Sequence, residues 1–285
     1  MPTSLSLRSR LAPGATGLIP AILLAGLVGL GASAPARAAG HVDDKKLTAA
    51  VADPARAPAF VARDKARHPV QELTFFGVGP SMTVVELWPG GGYWTEILGP
   101  YLKPAGHYYV ALPSPSSDEG GAAKWRERVA TQGDRYVKIT ETMLGPGDYD
   151  IAPEGSADRV LTFRNLHNWM DGGYARQAIE ACFRALKPGG ILGVEDHRGG
   201  TDKPQDPKAK DGYVRQDYAI ALIEKAGFKF VGASEINANP KDTRDWVGGV
   251  WTLPPTLSQG DKDRDRYLAV GEADNFVLKF QKPGR

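Results

Sequence analysis

Two spacings of apolar residues alternate along the chain. Short apolar runs at 83–87, 107–112, 136–140, 158–163, 191–195, 228–231 and 275–280, rich in β-branched, aliphatic and aromatic side chains, predict strands. Helical spacing predicts helices at 93–98, 124–131, 174–186 and 213–226. Gly99-Pro100 stops the first of these, Lys187-Pro188-Gly189-Gly190 stops the third and turns the chain, and Gly227 caps the last. Strands alternating with helices imply a parallel sheet covered on both faces. No long helix separates the last two strands, which predicts an antiparallel final strand. The fold class expected is α/β, a doubly wound, mostly parallel seven-stranded sheet preceded by N-terminal helices over 39–80. In such sheets ligands bind beyond the carboxyl ends of the strands.

The first 38 residues read as a segment outside this fold. Arg8 and Arg10 precede an uncharged apolar run from Gly17 to Ala32, and Ala36-Arg37-Ala38 has the small-x-small form of a cleavage site. This is the pattern of a secretory signal peptide, and it places the mature chain in the periplasm or outside the cell. The run of 16 residues contains Pro20 and is shorter than the roughly 20 a membrane span needs, so no membrane anchor is expected after cleavage. Loss of three arginines leaves 32 basic and 33 acidic residues in 39–285, a net charge of −1. No basic run interleaved with aromatics remains, which argues against nucleic acid as a partner. The single cysteine, Cys182, excludes an intramolecular disulfide and lies in a helical run as a core residue.

Candidate chemistry concentrates where strands end. The stretch Glu86-Leu87-Trp88-Pro89-Gly90-Gly91-Gly92-Tyr93-Trp94-Thr95 runs from a strand ending in an acid, through a glycine-rich turn, into a helix. Glycines let backbone approach a ligand closely, and a helix start offers free N–H groups. Thr95 stands where a dinucleotide fingerprint needs Gly or Ala, which counts against a nicotinamide cofactor. Arg164, Asn165, His167, Asn168 and Trp169 follow the fourth strand, and Glu195, Asp196, His197 and Arg198 end the fifth. Both groups should open on one crevice, where His167 and His197 are candidate acid–base residues. A metal site of His167, His197 and Glu195 has no close ligand spacing behind it, so none is expected. The long connection 237–274, with Trp246, Trp251, Pro254-Pro255 and Tyr267, reads as a lid or pocket wall.

The acid-turn-glycine segment, together with Leu186-Lys187-Pro188-Gly189-Gly190, resembles the class I S-adenosylmethionine-dependent methyltransferases, whose sheet is Rossmann-like. The resemblance covers residues 69–282. Arg63-Asp64-Lys65-Ala66-Arg67-His68-Pro69, Trp88 to Tyr93, Asn165-Leu166-His167-Asn168 and Asn239-Pro240-Lys241-Asp242 resemble a group of predicted exported methyltransferase-like proteins. The resemblance implies S-adenosylmethionine as cofactor and a small-molecule acceptor. It implies that Glu86 binds near the methionine amino group, and that Gly90, Gly91, Gly92 and Tyr93 pass beneath the cofactor. Phe163 and Asn165 would line the methyl-transfer pocket. Asp148 would face the adenine amino group or be a solvated loop acid. Two positions depart from the pattern. Trp88 replaces the first glycine, so that the turn is reshaped or the pocket partly filled, since a bulky residue resists positive φ. The second strand ends Val110-Ala111-Leu112-Pro113 and lacks the acid that holds the ribose, for which Asp118 or Glu119 would have to substitute. Export and these departures leave a second expectation: a methyltransferase-fold protein that binds another ligand or does other chemistry outside the cytoplasm.

Overall fold

The first strand, β1 (Thr83–Leu87), is flanked by parallel neighbours on both edges. Its residues alternate between two cores, Val85 and Leu87 joining one and Val84 the other, as the pleat requires. The computed structural model describes residues 44–115, 121–136 and 138–284. The expected signal peptide at 1–38 and the loop acids Asp118 and Glu119 lie outside these residues.

Four short helices precede the sheet: α1 (Asp44–Val51), α2 (Pro58–Val61), α3 (Asp64–Arg67) and α4 (Pro69–Phe75). After β1 come α5 (Thr95–Leu102), β2 (His107–Pro113), α6 (Gly121–Thr131), β3 (Ile139–Leu144), β4 (Ala157–Phe163), α7 (Leu166–Asp171), α8 (Ala175–Ala185) and β5 (Leu186–Gly199). The chain ends with the two-residue β6 (Val214–Arg215), α9 (Gln216–Glu224), β7 (Lys229–Ser234), α10 (Arg264–Val270) and β8 (Asn275–Gln281). The sheet order is β3-β2-β1-β4-β5-β8-β7, with β6 beside the far end of β5. Strands β1 to β5 run parallel, and β8 is antiparallel to both β5 and β7. This is the expected doubly wound architecture, with the strand order reversing between β1 and β4.

Three of the boundaries that differ from the pattern reading do so for a clear local reason. Gly99-Pro100 does not stop α5, which continues to Leu102. Proline removes the N–H that would bond the Glu96 carbonyl; Arg135 supplies a substitute donor to that oxygen at 3.1 Å. Gly99 is needed there because a Cβ would lie 2.7 Å from the Tyr136 ring. Tyr136 belongs to a short 3-10 turn, so the third strand starts later, at Ile139. The Lys187-Pro188-Gly189-Gly190 stretch ends α8 but does not leave the sheet. Leu186 already pairs with Ala157, and the register shifts before Ile191 joins Arg159. Cys182 is buried among apolar side chains, and burial pushes its thiol up to about 12, the environment of a core residue.

Candidate active site

The carboxyl ends of β1, β4 and β5 meet the N-terminal helices and the 237–274 connection around a cavity of 340 Å³. Glu86, Gly90, Gly91, Tyr93, Phe163, Asn165, His167 and His197 all line it, so the structure brings together eight of the ten expected site residues. Gly92 lies beside them with φ of +91°, where a Cβ would meet the Arg128 side chain at 3.1 Å. Asp148 does not join them. It sits in a turn with reciprocal backbone bonds to Gly145 and lines neither this cavity nor the adjacent one. The connection contributes Val250, Trp251, Pro254, Pro255, Thr256 and Ala273, as a pocket wall should.

The turn after β1 keeps the backbone of a glycine despite Trp88. Trp88 has φ of +49°, so the expected reshaping is not what accommodates it. Its indole Nε1 donates to the Leu144 carbonyl at 2.8 Å, and the ring meets Trp169 edge-on with centroids 6.3 Å apart. These contacts outweigh a left-handed backbone that costs on the order of 1 kcal/mol. The ring forms a wall shared by the first cavity and a second of 590 Å³, which Pro89, Leu112, Pro113, Lys124, Pro146 and Tyr174 also line. Gly90 borders both, and a Cβ on it would meet nothing within 4 Å, so the glycine leaves open space.

Glu86 is buried on the α5 side of the sheet. Its Oε2 accepts from Thr95 Oγ1 at 2.8 Å and from the Tyr108 hydroxyl, while Oε1 has no partner. Burial pushes this carboxyl up to about 7, against the pull of the two hydroxyl donors. An enclosed carboxylate oxygen without a donor, at the wall of a cavity, is a ready acceptor for a ligand ammonium.

His167 and Asp196 form a buried polar pair beside the cavity. Asp196 Oδ2 accepts the His167 backbone N–H at 2.9 Å, and Oδ1 lies 2.8 Å from His167 Nδ1. Burial alone would raise the Asp196 carboxyl. The facing His167 and His197 rings and the backbone donors outweigh it and hold the acid below its usual range. An ionised carboxylate only accepts, so Nδ1 carries a proton, and in the neutral form of the ring the lone pair is then on Nε2. The His197 ring lies 5.2 Å from that of His167, with Nδ1 bonded to Asn275 Oδ1 at 2.7 Å. Burial pushes His197 down to about 3, so it is neutral at physiological pH. His167, Asp196 and His197 each bring an atom within 4.8 Å of the others, close enough to share a metal ion. Glu195, the acid paired with the histidines in the sequence, faces away, where Asn237 Nδ2 donates to it at 3.0 Å. Neighbours on a strand point to opposite faces, so Glu195 and Asp196 lie on opposite sides of β5, and Asp196 is the one on the His167 side.

Asn165 acts as a clamp. Its Nδ2 donates to the Leu87 carbonyl at 3.0 Å and approaches the Trp88 carbonyl at 3.3 Å, tying the end of β1 to the start of α7. Phe163 stacks on Trp94 with centroids 4.1 Å apart and gives the cavity an aromatic floor.

Sequence reasoning missed Asp196 as partner of His167, and it missed an arginine cluster. Arg63 donates to both Glu272 oxygens at 2.6 and 2.8 Å, and Arg164 to one of them at 2.8 Å. Arg67 stands beside them over the Tyr93 ring, 4.4 Å from its centroid. The signal was available: Arg63 and Arg67 sit four apart in the Arg63-to-Pro69 motif, one helical turn. The Asn239-to-Asp242 motif holds the connection to itself, with Asp242 accepting from Tyr213, from Trp246 and from the Asp274 backbone.

Comparison with solved structures agrees with this architecture. The chain is similar to an S-adenosylmethionine-dependent methyltransferase from Aquifex aeolicus, with a TM-score of 0.54 and 16% identity over 85% of this chain and 100% of that one. It is similar to the [4+2]-cyclase SpnF, with a TM-score of 0.51 and 15% identity over 76% of this chain and 82% of that one. It is also similar to a putative sarcosine dimethylglycine methyltransferase from Galdieria sulphuraria, with a TM-score of 0.50 and 14% identity over 78% and 86% of the two chains. No family model matches the chain, and no match is found among curated proteins. The likeness establishes the class I methyltransferase fold.

Proposed function

We propose that this protein is an S-adenosylmethionine-dependent methyltransferase acting on a small acceptor, with His167 as general base. The observation that carries the proposal is the His167–Asp196 pair on the wall of a cavity that also holds the glycine turn. The residues fit the cofactor. Glu86 Oε1 is an unpartnered buried acceptor for the methionine ammonium, and Gly90 leaves open space above the turn. The second cavity, walled by Leu112, Pro113 and Tyr174, suits an adenosine, although no acid stands at the end of β2 to hold its ribose.

When bound, the cofactor supplies an electrophilic methyl group on a sulfonium. The chain's own residues do the rest. Asp196 fixes the Nδ1–H tautomer of His167, and Nε2 takes the proton that a hydroxyl, amine or thiol acceptor loses. Asn165 holds β1 and β4 in register through the Leu87 carbonyl. Trp251, with its ring 6.0 Å from His167, closes the acceptor side from the connection. The signal-peptide pattern of residues 1–38 supports a site of action outside the cytoplasm, which favours the second reading below over methyl transfer.

Trp88 favours a second reading, in which the fold performs other chemistry. Its indole borders both cavities, where the family pattern has a glycine. SpnF, a [4+2]-cyclase, has a similar fold. Calorimetric titration with S-adenosylhomocysteine separates the readings. Saturable micromolar binding supports methyl transfer; no binding at millimolar ligand removes it in favour of the second.

A further inference from the structure

Three guanidinium groups, those of Arg63, Arg67 and Arg164, line the cavity and converge on one carboxylate, Glu272. Burial would raise the Glu272 carboxyl, but the surrounding arginines hold it below its usual range, so it is ionised. Its oxygens are taken by Arg63 and Arg164 at 2.6 to 2.8 Å. Arg67 comes third. Its Nε stays 3.5 Å from Glu272 Oε2, and that buried nitrogen has no hydrogen-bond partner. Only 3% of Arg67 is exposed, yet its contacts amount to that distant carboxylate and the face of Tyr93.

A guanidinium carries five N–H donors in a planar fork. Enclosing it with those donors unused is costly, because a buried charge must recover its lost hydration from hydrogen-bonded partners. Of the other acids near the cavity, Glu86 keeps Oε1 without a partner and pairs with no arginine among the described residues, and the rest are engaged elsewhere. Asp64 takes Arg56 and the Tyr93 hydroxyl, and Asp196 takes His167. Glu195 lies 4.0 Å from Arg164 and is bonded to Asn237, and burial pushes it up to about 7. Among the described residues the cavity wall therefore sets three guanidinium groups against the one carboxylate of Glu272, and Arg67 is the one whose fork is unmatched.

We propose that Arg67 is the receptor for a carboxylate or phosphate group on the molecule that fills this cavity. A planar fork matches either anion with two parallel N–H bonds. The Tyr93 ring beneath it fixes the plane of the fork, and Arg63 and Arg164 add positive potential without giving up Glu272. The anion has two possible sources, the carboxylate of the cofactor's methionine portion or an anionic group on the acceptor. The inference rests on this cavity being the reaction site of the proposed function, but it does not require methyl transfer.

The test is calorimetry on the purified protein and on Arg67→Met, with three probes: S-adenosylhomocysteine, 5′-methylthioadenosine, which lacks the amino-acid portion, and inorganic phosphate. If the cofactor supplies the anion, Arg67→Met weakens S-adenosylhomocysteine roughly 10- to 100-fold, the loss of a charge-assisted fork, and leaves methylthioadenosine within twofold. If the acceptor supplies it, S-adenosylhomocysteine affinity is unchanged, and the native protein binds phosphate saturably where the variant does not. Should Arg67→Met fail to fold by circular dichroism, Arg67→Lys keeps the cation on Tyr93, removes the fork and carries the same comparison. Affinities for S-adenosylhomocysteine and phosphate that are the same in native protein and variant overturn the inference. Arg67-dependent phosphate binding without any S-adenosylhomocysteine binding removes the methyl-transfer reading and leaves this one standing.

Discussion

The Nδ1 atom of His167 sits 2.8 Å from Oδ1 of Asp196, whose other oxygen accepts the backbone N–H of the same histidine. One buried carboxylate thus holds both the ring and the main chain of His167, which fixes the ring plane as well as the tautomer. Asp196→Asn keeps the shape and removes the charge. We expect turnover to fall by roughly 10² to 10⁴, with the ring populating the Nε2–H tautomer. Long-range ¹⁵N–¹H spectra of the histidine ring read the tautomer directly, before any acceptor is identified. An unchanged tautomer in Asp196→Asn would show that the carboxylate does not orient the ring.

His197 gives a signature in acid. Burial first, then His167 and Arg164, push it down to about 3, against the attraction of Asp196. A base whose pKa is lower in the folded state contributes stability above its unfolded value, about 6.5, which is lost as pH falls toward 3. His197→Gln should therefore flatten the fall of the thermal midpoint between pH 6.5 and 3 relative to the native protein. Melting curves across that window check it, and parallel slopes for the two proteins would count against a neutral buried His197.

Glu86 acts with the opposite sign. Burial lifts its carboxyl to about 7, so its contribution is complete below its unfolded value and is lost as pH rises through 7. Across the window from about 4.5 to 7, each pH unit weakens the fold by up to about 1.4 kcal/mol from this group. Glu86→Gln should remove that dependence and raise the midpoint at pH 8 above that of the native protein, while weakening any ligand ammonium. Urea melts at pH 5 and pH 8, run with binding titrations, test both halves.

Much of this arrangement was legible in the sequence. Alternation of strand and helix spacing, the glycine turn and the polar clusters after the fourth and fifth strands located the sheet, its antiparallel last strand and the cavity wall. What was not legible depends on direction and distance. Glu195 and Asp196 look alike in composition, and only the phase of β5 tells which one faces His167. Pro100 looked like a helix stop because the donor that replaces its missing N–H comes from Arg135, 35 positions later in the chain. Arg67 precedes the glycine turn and Glu272 lies near the end of the chain, so nothing local paired them. Trp88 was expected either to reshape the turn or to fill part of the pocket, and the first of these does not occur. Instead its packing on Trp169 and its bond to Leu144 stabilise the glycine conformation.

Trp88 itself can be tested. Trp88→Gly removes the indole wall and its hydrogen bond, and relieves the positive φ. Loss of packing should outweigh that relief, lowering stability by about 1 to 3 kcal/mol. Joining the two cavities should at the same time tighten S-adenosylhomocysteine. A lower midpoint with higher affinity is the expected pair of results. Unchanged affinity in a folded variant would show that the indole stands clear of the path the ligand takes.

The Asn165 amide has a mechanical consequence. It grips the Leu87 and Trp88 carbonyls on one side and belongs, on the other, to the residue that starts α7, two positions before His167. A ligand that shifts the glycine turn by a fraction of an ångström drags this amide with it, and the base moves by a similar amount against Asp196. The two halves of the cleft therefore settle together. Whichever molecule enters first sets the alignment that the second one meets, so occupancy of either half changes the affinity of the other by the same factor.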